Sequence, residues 1–297
     1  MTIQGSSNDW RAKVISQAVA LPPRVLIYAP PGTGKTTLAA SAPRALIIDF
    51  DRGADQTSAA RIAGPSSWSE SLSLIRSISS DAHDYQTLVV DTVDPLEELA
   101  SRHVCEEAKK KTLADFGYGA GYEALAAEWR LMLGALDGCR SRGMSIVLLG
   151  HSIVRQSNDP QLGGYDQFVP QLQKKTWAMT SRWCDVVGFA NFDAARLEDE
   201  RRAIVTGERM LWTTRGTGFE AKNRYGLPAK LPLSWPALAA GIRAGTQSAA
   251  EIRARITALA AGTEHEARAA LFVADAGDDP RKLDAIEAAL AAKISNQ

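Results

Sequence analysis

The hydrophobic positions along the chain fall into short continuous runs separated by longer stretches of helical periodicity. Val25 to Tyr28, Ala45 to Asp49, Thr87 to Asp91, Ser145 to Gly150 and Asp185 to Ala190 are apolar at nearly every position and rich in β-branched residues. Runs apolar on both faces suit the central strands of a parallel sheet covered by helices. Between them the pattern predicts helices. Asp94-Pro95 is a start signal, with Asp94 as cap, Pro95 at the first helical position and Glu97 completing a capping-box arrangement. A second helix is expected over about 121–141, stopping near Gly143. After Ala190 the rhythm changes. RRAIVT and RMLWTT flank Gly207-Glu208 and predict a β-hairpin, and GFEAKNRYGLP and LPLSWP close the sheet region. From about Gly245 the chain turns Ala-rich and helix-periodic, with a break at Asp278-Asp279-Pro280. The expected organisation is a polar leader over 1–23, an α/β core over 24–244 and a helical appendage of two or three helices over 245–297.

Composition narrows the class. Of 297 residues, 45% are hydrophobic, and 34 Lys+Arg balance 34 Asp+Glu, which excludes disordered, collagen-like and fibrous chains. Cys105, Cys139 and Cys184 are far apart and form no CxxC, so they read as reduced thiols of a cytoplasmic protein. No apolar run approaches the ~20 residues of a membrane helix, and Met1 to Asp9 is polar. A membrane partner is not expected.

The candidate chemistry begins at APPGTGKTT, Ala29 to Thr37, between a strand and a helical run. The spacing is that of a phosphate-binding P-loop, GxxxxGK[ST], with Ala29 in place of the first glycine. Gly32 and Gly34 permit the turns that aim backbone N–H groups inward, and the following helix adds its positive end. Pro31, Gly32, Thr33, Gly34, Lys35, Thr36 and Thr37 are therefore the expected ATP-binding residues. Lys35 neutralises the β- and γ-phosphates and the Thr36 hydroxyl ligates Mg²⁺. TLVVD supplies Asp91 at a strand end as the second metal-holding acid, the Walker B position.

Hydrolysis also needs a group to orient or deprotonate water. In most AAA+ enzymes a glutamate directly follows the Walker B aspartate, whereas Thr92 follows here, which points to a RecA-like arrangement. There the acid ends the strand after the P-loop helix, and ALIIDFDRGADQT offers Asp49 and Asp51. Asp51 stands where glutamate is usual, and Asp55 is a weaker candidate. SIVLLGHS places His151 and Ser152 at a strand tip that RecA-like sheets put between the Walker A and Walker B strands, where His151 is a candidate γ-phosphate sensor. Lys222 and Arg224, two residues apart in GFEAKNRYGLP, fall on one face of a strand. The segment looks like the K-x-R-x-G motif of DnaB-type helicases and KaiC-like ATPases, whose cations complete a neighbouring subunit's site.

Together APPGTGKTT, IIDFDRG, LVVDTVD, LLGHS and AKNRYGLP resemble a RecA-like P-loop ATPase, specifically the phage-type single-strand DNA annealing and recombination family, over roughly Arg24 to Pro236. The resemblance implies a mainly parallel sheet flanked by helices, Mg²⁺-dependent ATP hydrolysis, assembly into a ring or filament, and action on single-stranded DNA in a bacterial or phage-infected cytoplasm. Between Gln171 and Lys230 eleven Lys/Arg face seven acids, whereas from Gly245 onward six face eight. The positive excess thus lies late in the core, where a surface tracking a nucleic-acid backbone is expected. Just before it, residues 155–175 read as a Gly- and Asn-containing loop, with Tyr165 and Phe168 as base platforms and Lys174 and Lys175 as phosphate contacts. The alternative is a P-loop switch acting on a protein partner, docked through the C-terminal helices.

Overall fold

The computed structural model describes residues 21–159, 163–196, 203–246, 249–277 and 279–295; the leader over 1–20 lies outside them. Among the described residues the elements run β1 (Arg24–Ala29), α1 (Lys35–Ala40), β2 (Ala45–Asp49), β3 (Ala60–Ala63), α2 (Trp68–Ser80), β4 (Thr87–Asp91), α3 (Val93–Glu107) and α4 (Ala120–Ser141). There follow β5 (Ser145–Asp159), β6 (Gly163–Pro170), α5 (Lys174–Trp183), β7 (Val186–Arg196), β8 (Ala203–Trp212), β9 (Lys222–Asn223) and β10 (Lys230–Pro232). The helices α6 (Trp235–Thr246), α7 (Ala249–Ala260), α8 (Glu266–Ala276) and α9 (Pro280–Ser295) end the chain.

The sheet order is β10-β8-β7-β1-β5-β4-β2-β3, parallel from β7 through β3 and antiparallel at β7/β8 and β8/β10. This is the mixed, mainly parallel α/β architecture of a P-loop NTPase, with β5 between the P-loop strand β1 and the Asp91 strand β4. The alternation along the strands explains why they read as continuous apolar runs. Leu26, Tyr28, Leu88, Val90, Ile146 and Leu148 face one core, under α2 to α5. Val25, Ile27, Val89, Val147 and Leu149 face the other, under α1 and α6. Trp129 of α4 is fully buried in the first core and donates its indole N–H to Thr180 Oγ1 at 2.8 Å. The C-terminal helices α7 to α9 have a small core of their own, including Ile252, Ile256, Leu283 and Leu290. Trp235, Leu238 and Ile242 of α6 pack instead against the sheet.

Three expectations are corrected. The described residues of 155–170 are not a loop: β5 runs past the sheet and pairs with β6 from Ser152↔Pro170 to Asp159↔Gly163, making a projecting β-arm. Gly207-Glu208 is not a turn. β7 and β8 are the hairpin, and between the pairs Phe192↔Arg209 and Ala194↔Val205 three residues of β8 face one of β7. Gly207, at φ +83°, supplies the left-handed backbone such a bulge uses. Finally, α3 begins at Val93 with Thr92 as N-cap, and no side chain caps it. Asp94 and Glu97 turn away from their own helix end to partners on other elements.

Candidate functional site

The parallel strands end in a cleft of about 400 Å³ lined by Pro31, Gly32, Gly34, Lys35, Thr36, Thr37, Asp51, Gly53, Asp91, Thr92, His151 and Arg209. The turn from β1 to α1 forms one wall. Gly32 and Gly34 have φ of +74° and +101°, a conformation that resists side chains, and the buried Thr33 hydroxyl ties the turn through Pro30 O at 2.7 Å. Since α1 starts at Lys35, its first amides lack intrahelical acceptors and the helix presents its positive end here.

Lys35 is 6% exposed, and its ammonium reaches the carbonyls of Ala29 and Pro30 at 3.3 and 3.4 Å. Burial lowers its pKa against the pull of Asp91, Asp94 and Asp51. The Thr36 hydroxyl donates to Asp91 Oδ2 at 2.6 Å, so the two expected metal-holding groups stand side by side. Burial raises the Asp91 carboxyl above its usual range, and the nearby Asp51 and Asp49 push it further. A buried acid crowded by like charge is what a divalent cation relieves. Among the described residues no group of three or more His, Cys, Asp or Glu side chains could hold a metal ion. Mg²⁺ is held by one or two protein ligands together with phosphates and water, and Thr36 and Asp91 offer such a pair. The residues present fit both a triphosphate and its metal.

Beside Asp91 lies a second set of polar groups. Asp49 is spent on structure, accepting from Gly53 and Ala54 N–H at 3.1 Å each. Asp51 lines the cleft, with Oδ2 accepting from the Thr92 hydroxyl at 3.1 Å and standing 3.6 Å from His151 Nε2. Asp55 pairs with Arg61 at 2.7 Å. His151 is held from behind by Asp94, which takes its backbone N–H at 3.1 Å and lies 2.8 Å from Nδ1. The Asp94 hydrogen bond raises the imidazole pKa above its ordinary value. Burial alone would raise the Asp94 carboxyl, but the ring and backbone donors of His151 hold it below the carboxylate range.

A family model described as an AAA domain matches residues 21–225. The chain belongs to this family. The SPbeta prophage-derived uncharacterized protein YorG of Bacillus subtilis (strain 168) is 24% identical over 134 residues, 43% of this chain and 40% of that protein, so the chain spans less than half of that relative's length. The AAA domain assignment and the cleft together identify a nucleotide-binding P-loop ATPase domain. Among the described residues no helix is long and apolar enough to cross a membrane.

The remaining candidate residues of this AAA domain lie elsewhere. Lys222 and Arg224 sit at β9, which pairs with the first residues of β7, the end of the sheet opposite the cleft. Lys222 Nζ closes the C-terminus of α5 through the carbonyls of Ser181, Arg182 and Cys184 at 2.7–3.2 Å. Arg224 joins Asp185 and the Arg182 carbonyl. On the β5–β6 arm Tyr165 is half-buried. Phe168 departs from the base-platform expectation: its ring is half-buried and stacks on Phe189 at 5.1 Å inside an aromatic cluster with Trp212 and Phe219. Lys174 and Lys175 open α5 on the cleft side of the sheet, and Lys175 pairs with Glu123. The sequence reading missed three groups at the site: Thr92, Asp94 and Arg209. DTVD contains Asp94 at helical distance from Asp91, a usable signal. Arg209 leaves no local trace.

Proposed function

We propose that this AAA domain protein assembles on single-stranded DNA as a ring or filament and uses Mg²⁺-dependent ATP hydrolysis to promote annealing or homologous recombination. The observation that carries this reading is the way α3 grips the β5–β6 arm. His151 leads directly into the arm and is held by Asp94. Gln173, three residues past the end of β6, gives its backbone N–H to both oxygens of Glu97, one helical turn along α3, and Thr176 donates to the same carboxylate. A helix that starts beside Asp91 and holds both roots of an arm relays the state of the phosphate site to it. On the same end of the sheet the α3–α4 loop carries Lys109, Lys110 and Lys111 and presents Tyr118 fully to solvent, between two glycines and with all three at positive φ. An exposed ring in a cation-bearing loop matches the stacking and backbone contacts of an unpaired strand.

Mg²⁺, when bound, offsets charge on the β- and γ-phosphate oxygens. Thr36 and Asp91 would hold it, while the turn amides and Lys35 bind the phosphates. Asp51, fixed by the Thr92 hydroxyl, orients or deprotonates the attacking water, and His151 reports whether the last phosphate is present. Lys222 and Arg224 of a neighbouring copy complete the charge compensation.

ATP turnover with and without an oligonucleotide, at several protein concentrations, tests the reading. Stimulation that steepens with concentration is expected; indifference to DNA at every concentration removes it. Arg224→Ala should slow hydrolysis, and mixing it with Lys35→Ala protein should restore turnover; absence of rescue removes action in trans. A second reading, a switch docking on a protein partner, draws support from the apolar groove between α8 and α9, lined by Ala269, Phe272, Ile286 and Leu290. DNA-independent turnover would select it.

A further inference from the structure

Arg209 enters the phosphate cleft from a direction that the P-loop, the acids and the sensor histidine leave uncovered. It lies on β8, beyond β7, on the side of β1 opposite to β5 and β4. Its register partner Phe192 is three residues past Phe189, which itself pairs with Tyr28 near the end of β1, so this stretch of the β7–β8 hairpin runs level with the P-loop. The guanidinium rests on the phosphate-binding turn: a Cβ added to Gly34 would stand 3.0 Å from Arg209 Nη1. The ring of Phe192 supports the guanidinium from beneath at 5.6 Å. The three-residue bulge of β8 ends immediately before Arg209 and sets the direction in which it leaves the strand. Among the described residues no carboxylate pairs with it and no hydrogen bond consumes its donors.

An arginine with its donors unspent, set against a glycine turn in a concave site, suits an anion. The cleft already holds Asp51 and Asp91 beside Lys35, so a bound triphosphate brings more negative charge than the buried amine offsets. The triphosphate also carries one more negative charge than the diphosphate, and an exposed guanidinium at the cleft answers to that difference. Lys222 and Arg224, the cations expected from the sequence, cannot serve the cleft of their own chain, since they lie at the far end of β1.

We infer that Arg209 closes on the terminal phosphate of the nucleotide bound by its own chain and distinguishes ATP from ADP, its position on the β7–β8 hairpin coupling that hairpin to the nucleotide state. The inference rests on the nucleotide site alone and is independent of any DNA partner.

The test compares the affinities of full-length wild type and Arg209→Ala for a non-hydrolysable ATP analogue and for ADP, both with Mg²⁺. Arg209 is exposed, so the variant should fold, and an unchanged thermal midpoint checks it. Analogue affinity should fall about tenfold while ADP affinity stays within about twofold, the ATP-to-ADP discrimination dropping accordingly. An equal loss for both nucleotides would place the guanidinium on the inner phosphates, and no loss for either would remove it from the site; both outcomes overturn the inference. Arg209→Lys should recover part of the discrimination, because charge remains while the planar fork is lost. In mixtures with Lys35→Ala protein, Arg209→Ala should gain no turnover, since the missing group acts within its own chain; rescue would assign Arg209 to a neighbour's site instead. If Lys35→Ala still binds nucleotide, the site itself is wrong, a failure distinct from all of these.

Discussion

The His151–Asp94 pair makes a pH-dependent prediction whose sign follows from the geometry. Asp94 Oδ2 lies 2.8 Å from Nδ1 and Oδ1 takes the His151 backbone N–H at 3.1 Å, with side-chain exposures of 26% for His151 and 10% for Asp94. The imidazole also sees Asp51, which favours its charged form, and Lys35, which opposes it. Asp94→Asn keeps an acceptor for the backbone N–H and removes the ionic bond to the ring. A hydrogen bond involving a charged partner contributes about 1.5–3 kcal/mol, against about 1 kcal/mol for a neutral one.

Because the folded imidazole pKa is raised, its stabilisation is fully present below the unfolded value of about 6.5 and is lost as pH rises through the higher folded value. Because the folded Asp94 pKa is lowered, its share is present above about 3.9 and lost as pH falls through the depressed value. The wild-type advantage over Asp94→Asn should therefore peak between about pH 4 and 6.5, at about 1.5–3 kcal/mol, and shrink to about 1 kcal/mol by pH 9. Urea melts of both proteins across that range measure it. A difference that stays constant from pH 5 to pH 9 would refute the ionic pairing.

Glu97 gives a slope of the same sign as His151, at lower pH. Burial pushes its carboxyl up to about 7 despite the donors from Thr176 and Gln173, so the folded chain holds a proton that the unfolded one releases, and stability falls as pH rises from about 4.5 to 7. In Glu97→Gln that fall should flatten between pH 5 and 7; parallel urea-melt curves for the two proteins would argue against a protonated Glu97. Trp129→Ala leaves a large void in the first core and removes the donor to the Thr180 hydroxyl, which keeps its bond to the Thr176 carbonyl, so a loss of about 3–5 kcal/mol is expected by denaturant melts, with less than 1.5 kcal/mol placing Trp129 outside the core. Gly34→Ala puts a side chain at a disfavoured φ and crowds the tip of Arg209, and should abolish nucleotide binding in a titration; wild-type affinity would contradict the turn described.

The sheet was legible because its central strands are buried on both faces, which leaves no polar residue to blur the runs at β1, β2, β4 and β5. β3 escaped notice: ARIA is four residues long and lies at the sheet's edge, half-exposed, with Arg61 inside it. The β5–β6 arm read as a loop because many of its residues face solvent beyond the sheet, where strand pairing needs no apolar alternation. Gly207 read as a turn because a left-handed glycine serves a bulge as well as a hairpin. At the site, the P-loop was legible because its chemistry is local, with one strand, one turn and one helix start supplying the groups, and Asp91 because it ends an apolar run. Asp94 and Glu97 carry a helix-cap pattern, and nothing nearby in sequence reveals that His151 and Gln173, 57 and 76 residues away, offer them stronger partners. Arg209 depends wholly on the path of a distant hairpin.

The two ends of β1 constrain how copies of this chain can cooperate. The phosphate turn follows Ala29, whereas Lys222 and Arg224 lie beside the strand beginning at Val186, which pairs with Val25. Six extended residues separate those ends by about 20 Å. For one chain's Lys222 and Arg224 to serve another's nucleotide, the leading edge of one sheet must meet the trailing edge of the next. That contact is head-to-tail, and a head-to-tail contact repeats into a closed ring or an open filament rather than stopping at a symmetric pair. It also carries a cost, since Lys222 must release three α5 carbonyls and Arg224 its bond to Asp185. Asp185 remains compensated by Arg24 and Arg140 when Arg224 leaves, whereas release of Lys222 takes the donor from three carbonyls at the end of α5, so of the two cations Arg224 is the one the fold releases at lower cost.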